Sequence, residues 1–404
     1  MALESTAPLR HGVVLVAGGA VGAGMFALPI VSAGAGFMWA VLGLILVWFF
    51  TYKASLLLLD ANLAFPPGAS FSTIVEGSLG LGWARLNNLC ITFIMFVLMY
   101  AYTTAGASIL DYSLQRYGAD VGVPRGILSL VFVAVIGVLV WAGSTVVSRV
   151  SALILLLMAL TFVSVVFNLS PLIEPVNLLS PWSNIGYVAA AVPVFVTALA
   201  CGGLVPSLVK HYAADAEKIR LCLFYGTCLS LLVYLLWLIA ALGVVRRADY
   251  VAVISAGGNT GDLVAAMVAG GASNTLGNVL TTFSHFAIMT SFLSIGLGLF
   301  DFVQDRFAFA NTMKGKTKAA VVTFLPPAIL SFIYPYGFIA AIGWAGLAVM
   351  FSFFLIPALM YRAKGMTVDK KQPKRLLIIG LVLFSVVGAA LKICTVFNLL
   401  PQLS

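Results

Sequence analysis

Eleven apolar runs, each near the length that crosses a bilayer, constrain this chain more tightly than any motif it carries. They fall at roughly 12–31, 37–61, 88–111, 126–143, 150–168, 187–208, 220–244, 275–300, 318–334, 336–361 and 375–397. A helix needs about 20 apolar residues to span the hydrocarbon core, and each run comes close to that. Backbone exposed to lipid must satisfy its own hydrogen bonds, so such runs fold as helices. A barrel would need short alternating segments, and none is seen. With 62% of 404 residues hydrophobic and 9% charged, the polar side chains are too few to cover a water-facing surface. The expectation is an all-α polytopic membrane protein, one transmembrane unit over residues 1–404.

The basic residues orient that unit. With the N-terminus inside, sixteen of the 22 Lys and Arg residues fall in inward loops. Five fall outward (Arg116, Arg125, Arg246, Arg247 and Lys392), and Lys53 lies within the second run. Lys and Arg collect on the cytoplasmic side, which predicts N-terminus in, C-terminus out and an odd number of spans. The net charge of +9 is then topology rather than a nucleic-acid footprint, because the basic residues sit between apolar runs and not on one face. Five cysteines show no paired metal spacing and read as small apolar packing residues. The short polar start MALESTAPLRHG leads into the first run without a cleavage pattern, so that run is expected to stay as a helix. The longest non-helical stretch, roughly 245–274 with its GGNTGD segment, is expected outside as a solvated connector, with room for a short interfacial helix, ahead of a gating element.

Two runs are interrupted. The first, GGAVGAGMFALP, gathers Gly18, Gly19, Gly22, Gly24 and Pro29; five spans later TALACGGLVPSLVK gathers Gly202, Gly203 and Pro206. Glycine weakens a helix and proline removes a donor. Paired breaks at mid-membrane depth free peptide groups for a ligand, an ion or water, and such pairs mark inverted-repeat transporters. Gly18 and Gly22 also fit a helix-packing spacing, and Gly18 is assigned to packing. Gly22, Ala23, Gly24 and Met25 are expected to form an unwound binding segment, facing Leu199, Cys201, Gly202 and Gly203. Half-helix N-termini suit a carboxylate, and freed carbonyls suit an ammonium group. An amino acid needs both.

GGAVGAGMFALP and VPSLVKHY, with LLLLDANL, YAYTTAGASIL, SFLSIGLGLFDF and TFLPPAIL, resemble the bacterial aromatic amino acid permeases, the family of tryptophan- and tyrosine-specific transporters. The resemblance covers essentially the whole chain. ASFSTI, TVVSR and HYAADAEKIRLCLFYGT bring it nearest the tryptophan branch. It implies a LeuT-type fold of two inverted five-helix repeats, about 12–168 and 187–361, plus one extra helix at about 375–397. It implies secondary active uptake of an aromatic amino acid, tryptophan first, by proton symport across a bacterial inner membrane. Sodium coupling, exchange, tyrosine preference and hydroxy amino acid transport are the alternatives. On the third span it implies Tyr100 and Thr103 near the substrate, with Tyr102 on another face; on the eighth it implies Ser291 and Phe292. Two departures stand out. The family's sixth-span FGxHG character is replaced by Leu199, Ala200, Cys201, Gly202 and Gly203, and Met158 stands where those members carry a fifth-span lysine. Smaller residues at the break enlarge a pocket and favour an indole; the missing lysine leaves the coupling ion open.

Ionisable residues inside a bilayer are costly and point to function. His285, in the eighth span, is either a proton carrier or a hydrogen-bonded packing residue. Lys53 and Asp60, two turns apart on the second span, share a face and either pair with neighbours or snorkel. Asp301 and Asp305 precede Arg306 and are expected to form an inner gate or a capping network. With His11, His211 and His285 the only histidines, and only the last mid-span, no nucleophile–base or metal constellation of an intramembrane enzyme is visible. No cofactor or metal is expected. No rings of charge suggest a channel, and no GxxxxGK[ST] suggests a pump.

Overall fold

A computed structural model of the chain describes residues 8–118, 122–179, 185–271, 273–364, 375–401 and 403, and the regular structure among them is helical. In chain order the helices are α1 (Leu9–Ala20), α2 (Gly24–Ser32), α3 (Phe37–Asn62), α4 (Phe71–Leu79), α5 (Leu81–Arg116) and α6 (Arg125–Ala142). Then come α7 (Ser144–Leu169), α8 (Pro175–Leu178), α9 (Ile185–Leu199), α10 (Val205–His211), α11 (Ala216–Val244) and α12 (Asp249–Ser255). The last are α13 (Thr260–Ala269), α14 (Asn274–Arg306), α15 (Met313–Ile333), α16 (Phe338–Met350), α17 (Ile356–Lys364) and α18 (Arg375–Val396). Among the described residues ten helical runs are long and apolar enough to cross a membrane, or eleven when the bent pair α1–α2 counts as one.

The packing has a reciprocal pattern. α1 lies on α11 as α9 lies on α3; α5 lies on α16 as α14 lies on α7; α5 lies on α6 as α14 lies on α15. Lipid is as apolar as leucine, so close backbone approach rather than water exclusion holds such helices together. Glycines permit that approach. A Cβ at Gly226 of α11 would stand 2.5 Å from Cβ of Val16 on α1. The start of α1 is tied down by Tyr212, whose hydroxyl accepts the Gly12 N–H at 2.8 Å and donates to the Pro8 carbonyl at 3.0 Å.

Boundaries differ from the hydropathy reading where a span outlasts its apolar stretch. The third span, read as 88–111, is the 36-residue helix Leu81–Arg116. α6 and α7 meet at a single residue, Gly143, whose φ of +113° is open to glycine and strained for other residues. Lys392, counted as outward, is buried on α18. Lys370, Lys371 and Lys374 of the inward tally lie outside the described residues.

The stretch expected to be a solvated connector is instead a packed cover. α12 and α13 bury Tyr250, Leu263, Val264 and Met267, and α13 packs on α5. A capping box between Asn259 and Asp262 starts α13. Arg125 at the head of α6 then joins Asp111 of α5 to Asp262 of α13, both at 2.7 Å. The apolar positions in the segment are spaced for a helix face, but only a neighbouring bundle shows what that face covers.

Candidate functional site

Both breaks are present. α1 and α2 are separated by Val21–Ala23 and bent by 54°. α9 ends at Leu199; Ala200 and Cys201 leave the helix, Gly202–Leu204 form a 3-10 turn, and Pro206 sits at the start of α10, where its missing N–H costs nothing. The bend exceeds 40° only in the first pair, and Ile185–His211 still reads as one span. The broken helices meet at two points. A Cβ at Gly24 would stand 3.5 Å from Ala198 Cα, and one at Gly19 would stand 2.6 Å from Leu204 Cδ1.

Two side chains hold the freed backbone, and a third touches the side chain of the second break. Ser291 on α14 accepts the Ala23 N–H at 2.8 Å. The hydroxyl of Tyr234 on α11 stands between two carbonyls, Ala20 at 2.6 Å and Ala198 at 2.8 Å, and so bridges both broken helices. Ser55 on α3 lies 3.3 Å from the Cys201 thiol. A helix that stops leaves the carbonyls of its last turn without amides, and these contacts meet only part of that demand.

Around the breaks lies a cavity of about 400 Å³. Gly24, Cys201, Gly203 and Ser291 line it, as do Gly18, Gly19 and Ala20 of the first break. Tyr102 and Thr290 contribute hydroxyls, and Ile94, Leu98, Ile295 and Val349 supply apolar wall. At one end Phe353 covers Gly202 and Gly203 and stacks on Phe71 of α4, with centroids 5.7 Å apart. Phe353 is placed there by a π-helical turn over Phe351–Leu355, a wide turn that recurs at functional sites.

Several expected residues are elsewhere. Tyr100 turns away from the cavity and donates to the Tyr334 carbonyl at 2.7 Å, while Tyr102, on the other helix face, lines it. Two residues along a helix is about 200° of turn, so one of the pair had to face outward. Thr103 is buried and bonds back to the Met99 carbonyl at 2.7 Å. Phe292 is buried between Phe132 and Phe324. Met25 and Leu199 are buried off the cavity wall. Gly22 faces the Ser291 hydroxyl and Gly202 lies beneath Phe353. Gly18, read as a packing residue, also lines the cavity, 3.3 Å from Leu155 for an added Cβ. Tyr234, Phe353 and Ser55 carry no local mark that separates them from packing aromatics and hydroxyls, and the sequence alone does not find them.

The ionisable candidates do not gather at the cavity. His285 bonds to Ser113 on α5 at 2.9 Å, six residues before Ser291. Asp60 does not snorkel: it is 1% exposed and pairs with Arg220 of α11 at 3.0 Å. Lys53 lies 5.6 Å over both Phe49 and Tyr52. Asp301 and Asp305 share a separate polar recess with Gln304 and Lys316. Among the described residues neither forms an ion pair with Arg306, so the expected capping network is absent there. Met158 contacts Thr290 through its sulfur at 3.8 Å, beside the cavity wall.

A cavity at paired helix breaks fits a carrier, and comparison with known proteins gives its kind. The model of the tryptophan/tyrosine permease family matches residues 6–396. The chain belongs to that family. The permease is 38% identical to a tryptophan-specific transport protein of Pseudomonas aeruginosa, over 98% of this chain and 96% of that one. It is 35% identical to one of Shigella flexneri, over 98% of both chains. It is also 32% identical to a tyrosine permease of Enterobacter agglomerans, over the full length of each. Membership makes it a multi-pass membrane transport protein rather than an enzyme.

Proposed function

We propose that the permease is a secondary carrier that takes up an aromatic amino acid, tryptophan ahead of tyrosine, together with a proton across a bacterial inner membrane. The observation that carries this reading is the cavity of about 400 Å³ set against both helix breaks. An α-amino group fits the carbonyl-rich end of α1, and a carboxylate fits the amide-rich start of α2. The apolar walls suit a ring. Gly24, Ala198, Ala200, Cys201 and Gly203 crowd the cavity little, which supports indole over phenol, and several relatives are named as tryptophan transporters.

The reciprocal packing supports two five-helix repeats, about 12–168 and 187–361, with α18 as the extra helix. Exchanging first for sixth span, second for seventh, third for eighth, fourth for ninth and fifth for tenth turns each of those contacts into its partner. The charge asymmetry supports a cytoplasmic N-terminus and a periplasmic C-terminus. In that orientation the cavity reaches from the midplane towards Phe71 and Phe353 on the cytoplasmic side, while α12 and α13 cover the periplasmic side.

His285 is the proposed proton carrier, about one and two-thirds turns from Ser291 on the same helix. With Met158 in place of a lysine, no fixed cation stands beside the cavity wall there. The deciding experiment is counterflow in proteoliposomes loaded with tryptophan, tyrosine, phenylalanine or serine, with pH and sodium gradients imposed separately. Tryptophan is expected to exchange fastest and a pH gradient to drive it. Faster tyrosine exchange removes the specificity reading, serine preference removes the aromatic one, and a sodium requirement removes proton coupling.

A further inference from the structure

A second cavity, of about 460 Å³, lies between α2, α9, α16 and the end of α18. A thin septum divides it from the first. Pro193 of α9 and Gly343 of α16 face the second cavity, while Thr197 and Ile342 beside them face the first. The Thr197 hydroxyl, 2.8 Å from the Ile342 carbonyl and 3.0 Å from that of Pro193, fastens the two helices there. Gly346 lets them touch, since a Cβ on it would run into the Pro193 carbonyl.

Lys392 lines this second cavity and is only 8% exposed. It sits one turn from the end of α18, where a lysine ordinarily snorkels to water. Here the ammonium turns inward instead. It lies 5.2 Å from the centre of the Trp344 ring, and a Cβ at Gly343 would stand 2.7 Å from Nζ. Among the described residues no carboxylate lies within ion-pair distance of Lys392, and none of the residues lining the cavity is acidic. Arg247 adds a second cation, 5.7 Å over the ring of Tyr187 in the cavity wall. A buried ammonium without a counter-charge is costly, and a ring face offsets that cost only in part. Among the described residues nothing in the cavity wall supplies an anion.

We propose that this cavity is a second binding site, for an aromatic carboxylate, with the carboxylate on Lys392 and the ring among Trp344, Tyr187 and Tyr336. The ligand class rests on the aromatic-substrate reading above; the site itself rests on Lys392 and its surroundings. The two cavities read different ends of such a molecule. The central one offers carbonyls to an ammonium group, while the second offers a cation to a carboxylate and no acidic partner for an amine. An indole carboxylate without an amino group therefore keeps what the second site recognises and loses half of what the first one does.

The test uses the full-length permease in neutral-lipid nanodiscs, with indole-3-propionate as the probe and equilibrium binding as the readout. Wild type is expected to bind it, Lys392→Met to weaken binding by about tenfold or more, and Lys392→Arg to hold within about threefold. Ser291→Ala, in the central cavity, is expected to leave probe binding unchanged. Gly343→Ala, which crowds Nζ from the other helix, asks the same question should Lys392→Met fail to fold. No binding to wild type, equal binding to Lys392→Met, or loss on Ser291→Ala alone overturns the proposal. So does an arm in which only phosphatidylglycerol binds in a Lys392-dependent way, because the occupant is then a lipid. Failure of the transport reading would appear separately, as absent tryptophan counterflow with probe binding intact.

Discussion

Tyr234→Phe isolates the bridge between the two broken helices. The side chain is fully buried, and the substitution removes one oxygen while leaving the ring in place. That oxygen lies 2.6 Å from the Ala20 carbonyl and 2.8 Å from the Ala198 carbonyl. One hydroxyl proton serves both, so the loss is between one and two hydrogen bonds. Net values for such bonds are about 0.5–1.5 kcal/mol each, and interhelical ones in membranes fall at about 0.6 on average with a maximum near 1.7. A loss of about 1–2 kcal/mol follows. If the bridge holds the breaks in the geometry that receives substrate, this energy appears in affinity as about a five- to thirtyfold weakening. The assay pairs tryptophan binding to purified protein with its thermal unfolding midpoint. Weaker binding with a modest drop in midpoint is expected. Unchanged binding despite a lowered midpoint would refute the reasoning, since the hydroxyl would then be a packing contact only.

Four further outcomes are expected. Arg125→Met removes both ion pairs of the cover at a cost of about 2–3 kcal/mol, less than for a fully buried pair because the groups are partly exposed; amide exchange over 249–269 should speed up by at least about tenfold, and unchanged protection would show that other contacts hold it. In a chain keeping Cys201 as its sole cysteine, tryptophan should slow alkylation of that thiol by a membrane-permeant maleimide, because Cys201 lines the central cavity; no protection would place the substrate elsewhere. His285→Ala should abolish the pH dependence of uptake, and a retained dependence would clear His285 of the proton. Asp60→Asn should lower thermal stability by about 1–2 kcal/mol, since Arg220 keeps some access to water, while pH dependence stays intact; its loss would instead make Asp60 the carrier.

The helix count and the two breaks could be read from the sequence because each has a one-dimensional cause. An apolar run long enough to span must be a helix, and Gly22–Gly24 or Cys201–Gly203 weaken one wherever they occur. The far side of the cavity could not be read. Tyr102 and Tyr100 are chemically alike, and only the rotation of α5 decides that the first faces the ligand space and the second caps the Tyr334 carbonyl. Tyr234 looks like any aromatic in a core helix until α11 is laid across both breaks. Asp60 could not be matched to its partner from the sequence, because Arg220 lies 160 positions away. The covering helices α12 and α13 escaped for a related reason: seven and ten residues are too few to register as spans, and their apolar faces gain meaning only from the bundle beneath them.

The two ends of the permease are shut by different means. At the end covered by α13 an arginine is strapped to two aspartates across three helices, whereas at the Phe353 end two phenyl rings merely lie against each other. A strap of charges must break and rehydrate before its end can part, while rings slide with little resistance. Whatever motion parts the charged end therefore meets a higher electrostatic barrier than one that parts the ringed end.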